Sequence, residues 1–262
     1  MPGETEEFPV VPDPPPAGPP GPPVPGPGWR RGLAVLAVAL AGIAGLAGGG
    51  AALHAELTRH ATASEVAAAG RTEIATRWSR WPAGQIFPAA APYVNWDGLY
   101  TTGYRVGIAR QASCEAAFDP PVAEILRRHG CATVLRATYV DQSGSQVATV
   151  GVAVMPSLAA ALATVSSVLS APGRTVGLRA AGFPGTWSDR FGDAQRGWFG
   201  VSSSGPYAYF FAAGYTDGRP GSGRPGVDYV AGPGDLGNGV LNRIAAVLSA
   251  GGPPCDRPDV TC

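Results

Sequence analysis

Residues 133–170 read TVLRATYVDQSGSQVATVGVAVMPSLAAALATVSSVLS. Two runs rich in Val, Thr and Tyr, Thr133 to Val140 and Gln146 to Met155, flank the polar pentapeptide DQSGS, which is the pattern of a β-hairpin. Pro156 and Ser157 then open a helix in which Leu158, Leu162, Val165 and Leu169 share one face, and Pro172-Gly173 ends it. That leucine stripe is expected to pack on the sheet beside it.

The same signals repeat on either side. Upstream, Asp119 with Pro120 and Pro121 supplies an N-cap and first-turn prolines, Val122, Ile125 and Leu126 form an apolar stripe, and Arg127, Arg128, His129 and Gly130 complete a C-terminus. Downstream, a loop-rich stretch through Gly182 and Trp187 leads to a second hairpin, Trp198 to Ser203 and Tyr207 to Tyr215, turning at Gly205-Pro206. A third helix is expected from Leu236 to Ser249, with Val240, Leu241, Ile244, Val247 and Leu248 as its apolar face. The order helix, hairpin, helix, hairpin, helix defines an α+β domain: a mainly antiparallel sheet of two hairpins with three packing helices.

Before this domain lie three segments of different texture. Residues 1–28 hold 12 Pro and 5 Gly with almost no large apolar side chains, too little to offset the entropy of ordering, so residues 1–32 are expected to be a disordered Pro-rich tail. Leu33 to Leu53 is 21 uncharged residues, about 31 Å of helix at about 1.5 Å per residue, the thickness of a bilayer's hydrocarbon core. A cleaved signal would need a short basic leader, whereas this segment follows 32 residues of tail, which favours an uncleaved anchor. Residues 54–77, rich in Ala with Glu56, Glu65 and Glu73 among Arg59, Arg71 and Arg77, read as a helical stalk, and 78–262 as the extracytoplasmic α+β domain.

Orientation rests on two observations of unequal weight. Arg30 and Arg31 abut the apolar segment, but Arg59 and Arg71 follow closely on its other side, so the positive-inside count is tied. All four cysteines lie beyond the segment, an even set that suits two disulfides in an oxidising compartment, with Cys114–Cys131 and Cys255–Cys262 chosen among three connectivities. The N-terminus is therefore expected in the cytoplasm. Within the span, Ala37, Ala41, Gly45 and Gly49 recur every four residues as a smooth ridge suited to a second copy, although 13 Ala or Gly in 21 positions also produce such a ridge by composition alone.

Composition excludes more chemistry than it suggests. The charges, 19 basic and 19 acidic, cancel, so nucleic acid is not an expected partner. Every basic residue is Arg, which removes Walker-type phosphate loops, Schiff-base lysines and Ser-Lys pairs. Cysteine spacings of 17 and 7 match no zinc pattern, His129 is the only imidazole beyond the stalk, and no metal or cofactor is expected. Gly232-Pro233-Gly234-Asp235-Leu236-Gly237 mimics a dinucleotide loop after a strand at Asp228 to Ala231, but proline removes an amide donor and too little chain follows; a Gly-rich loop before the last helix is the expectation. Asp189 and Asp193 are the nearest thing to an acid pair, explained equally well as loop acids satisfying turn amides. From Trp78 onward, Trp, Tyr and Phe interleave with Pro and Gly in what reads as irregular chain; with the loop tryptophans it offers Trp81, Trp96, Trp187 and Trp198 as a candidate binding surface.

The Pro-rich tail, the Arg-flanked helix and the opening WPAGQIFP at residues 81–88 resemble uncharacterised single-pass membrane proteins of actinobacteria. Cys114 and the passage VATVGVAVMPSLAAA at 147–161 are more loosely similar to the extracytoplasmic sensor domains of mycobacterial serine/threonine kinases, α+β units with disulfides; no kinase domain is read in this chain. The resulting expectation is a membrane-anchored, non-enzymatic exterior domain that binds an envelope component or a protein partner, with a cell-envelope hydrolase or a structural subunit of a membrane complex as the competing classes.

Overall fold

The computed structural model describes residues 27–59, 61–171, 177–221 and 232–251. The chain divides into two units, residues 1–59 and 60–262. The first contains one described element, helix α1 (Pro27–Thr58), of which Arg31–Glu56 is long and apolar enough to cross a membrane. At about 1.5 Å per residue those 26 residues reach about 39 Å, and Leu36, Ile43 and Leu46 along them are exposed.

The second unit is α+β. Six strands, β1 (Ala90–Val94), β2 (Tyr100–Ile108), β3 (Thr133–Val140), β4 (Gln146–Val154), β5 (Trp198–Ser204) and β6 (Tyr207–Tyr215), form one antiparallel sheet in the order β1-β2-β3-β4-β6-β5. The two expected hairpins are present with their boundaries within a residue. A third, β1–β2, occupies chain expected to be irregular. Pro92 is tolerated there because β1 is an edge strand, needing hydrogen bonds on one side only, and Gly98 turns the hairpin at φ +77°.

Helices cover both faces. On one lies α7 (Pro233–Ser249), with α2 (Ala63–Arg80) and the single turn α3 (Ala83–Ile86) beside it; Val240, Leu241, Ile244 and Leu248 pack on Tyr139, Val150, Tyr209 and Phe211. The GPGDLG segment is helix rather than loop from Pro233 onward, since proline suits a first helical position. Its glycines permit close packing: a Cβ on Gly237 would sit 2.3 Å from the Phe211 ring. On the other face, α4 (Cys114–Ala117), α5 (Pro120–Arg128) and α6 (Leu158–Ser170) pack through Phe118, Val122, Leu126 and Ala161 on Val134, Ala153, Ala208 and Phe210.

Two readings of helix faces are corrected by this packing. α6 lies against β5 and β6 through Ala161 and Thr164, whose small side chains let it approach closely, while Leu158, Leu162 and Leu169 are exposed. Residues 54–77 are not one stalk: α1 continues to Thr58, and α2 belongs to the compact unit, its Arg77 buried against the end of α7. The Arg77 guanidinium pairs with Glu73 at 2.6 Å and donates to the carbonyls of Leu248 and Val247 at 3.0 and 3.3 Å, satisfying carbonyls that the helix end leaves open. The Tyr207 hydroxyl donates to the Ile74 carbonyl on the same helix.

Cys114 and Cys131 form a disulfide, S–S 2.01 Å, that brackets α4 and α5. Cys255, Cys262, the helix stop at Pro172-Gly173, the strand at Asp228 to Ala231 and residues 1–26 of the tail lie outside the described residues.

Candidate functional site

The register of the first hairpin sorts its residues onto two faces. Ala91↔Gly103 and Tyr93↔Thr101 point to the α7 side, where a Cβ on Gly103 would meet Val240 at 2.8 Å and Leu236 at 3.0 Å. Ala90↔Tyr104, Pro92↔Thr102 and Val94↔Tyr100 point the other way. Since Tyr104 pairs with Val140, and Val140 packs with Val147 and Phe191, this second side belongs to the face that α4–α6 and the 177–196 segment cover elsewhere.

That covering layer is tied together by an ion-pair network. Arg196, 7% exposed at its side chain, grips Asp119 through two bonds of 2.9 and 3.2 Å and donates to the Leu178 carbonyl, while Asp193 accepts the Ala180 amide at 2.9 Å and pairs with Arg196 at 3.3 Å. Asp119 therefore stands at the N-cap position of α5 but spends its carboxylate on Arg196, and Asp193 acts as a loop acid. Phe183 fills the space over Gly107, where a Cβ would lie 2.5 Å from its ring. Beyond that point no described helix or loop covers the sheet.

What the bare face presents is apolar and aromatic. Val94, Tyr100 and Tyr104 are exposed on it, Tyr100 to 89%, and Trp96 and Leu99 stand exposed in the turn. The turn itself is held firmly: the Asn95 side chain accepts the Leu99 amide at 2.8 Å, and Asp235 of α7 accepts the Trp96 amide at 3.3 Å. Burial raises the Asp235 carboxyl above its ordinary value against the opposing Trp96 amide, and Asp97 adds to the rise. On the covered side, burial with Asp141 nearby pushes the Tyr93 hydroxyl to about 12.

The four tryptophans are dispersed. Trp96 belongs to the bare hairpin; Trp187, also exposed, lies against the β3–β4 turn, where a Cβ on Gly144 would meet its ring at 3.4 Å. Both turns sit at the same end of the sheet, because β2 and β3 are antiparallel neighbours. Trp81 and Trp198 are half-buried on the α7 side; the Arg77 guanidinium lies 4.7 Å from the Trp81 ring, and Trp198 meets Tyr215 edge-on at 5.5 Å. The sequence alone does not single out Val94, Leu99, Tyr100 or Tyr104. Tyr100 and Tyr104 lie in the alternation YTTGY, obscured by the Pro and Gly around it, and Val94 and Leu99 carry no such signal.

Elsewhere, His129 ends α5 with Nε2 3.1 Å from the Ser167 hydroxyl, tying α5 to α6. Ala37, Ala41, Gly45 and Gly49 lie on α1, and a Cβ on Gly45 or Gly49 would meet nothing within 4 Å. Among the described residues no three His, Cys, Asp or Glu side chains gather as a metal site would require. Family models, curated proteins and solved structures yield no match to this chain.

Proposed function

We propose that this chain is a single-pass membrane protein, N-terminus cytoplasmic, whose extracytoplasmic domain binds an envelope component or a protein partner through the bare face of the β1–β2 hairpin. One observation carries the reading: Val94, Trp96, Leu99, Tyr100 and Tyr104 are exposed together on a hydrogen-bonded hairpin, at the place where the covering layer stops. Rigid aromatic side chains on a preformed surface lose little entropy on binding and supply large contact area. A soluble face of the same sheet would carry polar residues at these alternating positions.

The anchor supports the location. An Arg31–Glu56 helix of span length precedes a domain with a disulfide, and disulfides persist in oxidising compartments. A membrane-impermeant thiol reagent on intact cells is expected to label the chain only after reduction; labelling that requires lysis would reverse the orientation.

For binding, chemical crosslinking in intact cells followed by purification compares the natural chain with Tyr100→Arg. The captured partner is expected to fall at least about tenfold in the variant, as for loss of a central aromatic anchor. If nothing is captured, and the purified chain instead cleaves cell-wall material, the binding reading is wrong.

A further inference from the structure

The second unit holds an apolar cleft of about 280 Å³ away from the hairpin face. Three segments meet there: Ile74 and Ala75 of α2, Pro156 to Leu158 at the start of α6, and the β5–β6 turn Gly205-Pro206. The turn and α2 touch closely, since a Cβ on Gly205 would lie 3.3 Å from the Ile74 side chain. Leu158 continues into the exposed leucines of α6, Leu162 and Leu169, so the apolar surface runs on from the cleft along that helix.

The charge at the cleft has one sign. Arg71 lines it and, among the described residues, makes no ion pair, unlike Arg59, Arg77, Arg127 and Arg196. α6 contributes the positive end of a 13-residue helix with no acidic residue in its first turn, and its Ser157 hydroxyl is already committed to the Ala160 amide at 3.1 Å. An apolar volume beside an exposed guanidinium that pairs with no described acid complements a ligand with a hydrocarbon chain and an anionic head.

We infer that this cleft is a binding site for a single acyl chain ending in an anionic head, with the chain against Ile74, Ala75, Pro156 and Leu158 and the head at Arg71. The supply of such amphiphiles rests on the membrane reading above, because a chain with a bilayer-spanning helix works beside lipid. The cleft shares no residue with the hairpin face.

The test uses the full chain in native membrane vesicles and two photoreactive probes: palmitic acid carrying a diazirine, and the matching uncharged alcohol. The acid is expected to label peptides containing Ile74–Ala75 and Pro156–Leu158 about tenfold more than the alcohol, the ratio one charge-assisted contact supplies. Arg71→Gln removes that preference. Ala75→Trp, which fills the cleft, and Leu158→Glu, at an exposed position on its rim, each abolish the labelling while circular dichroism stays that of the natural chain. Label confined to residues 31–56, equal labelling by acid and alcohol, or labelling that persists in both cleft variants overturns the proposal. Carbonate extraction of the same vesicles reports anchoring separately, so failure of the membrane reading is distinguished from failure of the cleft.

Discussion

Arg77 shows how one side chain attaches a whole helix. Its guanidinium is buried, paired with Glu73, and bonded to two carbonyls at the end of α7, so its loss leaves a carboxylate and a helix terminus without their partner at once. Because Glu73 is partly exposed and can turn to water, Arg77→Ala is expected to cost about 2–3 kcal/mol, less than loss of a fully buried partner, measurable by chemical denaturation. The buried tyrosines set an alkaline limit. Burial raises Tyr207 from 10.0 to about 12, and it moves Tyr139 and Tyr209 the same way. Between those values the unfolded chain has shed a proton that the fold retains, so stability falls as pH rises from about 10 to about 12. Tyr207→Phe should make that decline shallower; a decline of unchanged slope would remove Tyr207 as a contributor.

At the scale of elements, legibility followed local signals and failed where tertiary position decided. β3 and β4 announced themselves because Val-, Thr- and Tyr-rich runs flanked a polar turn, and α5 because Asp-Pro-Pro and His-Gly marked both ends. α6 was legible as a helix, but periodicity names a stripe without saying that it is the buried one. Here the alanine side is against the sheet and the leucine side is free. The first hairpin was hidden by residues that usually break strands. Pro92 is harmless only on an edge, and Gly103 is needed only because Val240 and Leu236 come so close; neither fact is local. The Cys114–Cys131 bond, by contrast, could be chosen from its spacing around a helix. Closing a loop of 17 residues contributes about 3 kcal/mol, so reduction should lower stability by about that amount while leaving the sheet cooperative.

Across the whole molecule, the candidate site is a consequence of unequal coverage. One face of the sheet receives α7 along its length; on the other, the described helices and loops end at Phe183 and Phe191, and the Asp119–Arg196–Asp193 network ties that layer together. The hairpin that projects past this edge carries Val94, Trp96, Leu99, Tyr100 and Tyr104 into solvent, and it is the surface proposed to bind. The most direct measurement places a photo-crosslinking amino acid at position 100 of the full chain in intact cells, with the exposed position 124 on α5 as the control. Adducts that form from position 100 and not from 124 are the predicted result; equal adducts from both, or adducts from 124 alone, would contradict it.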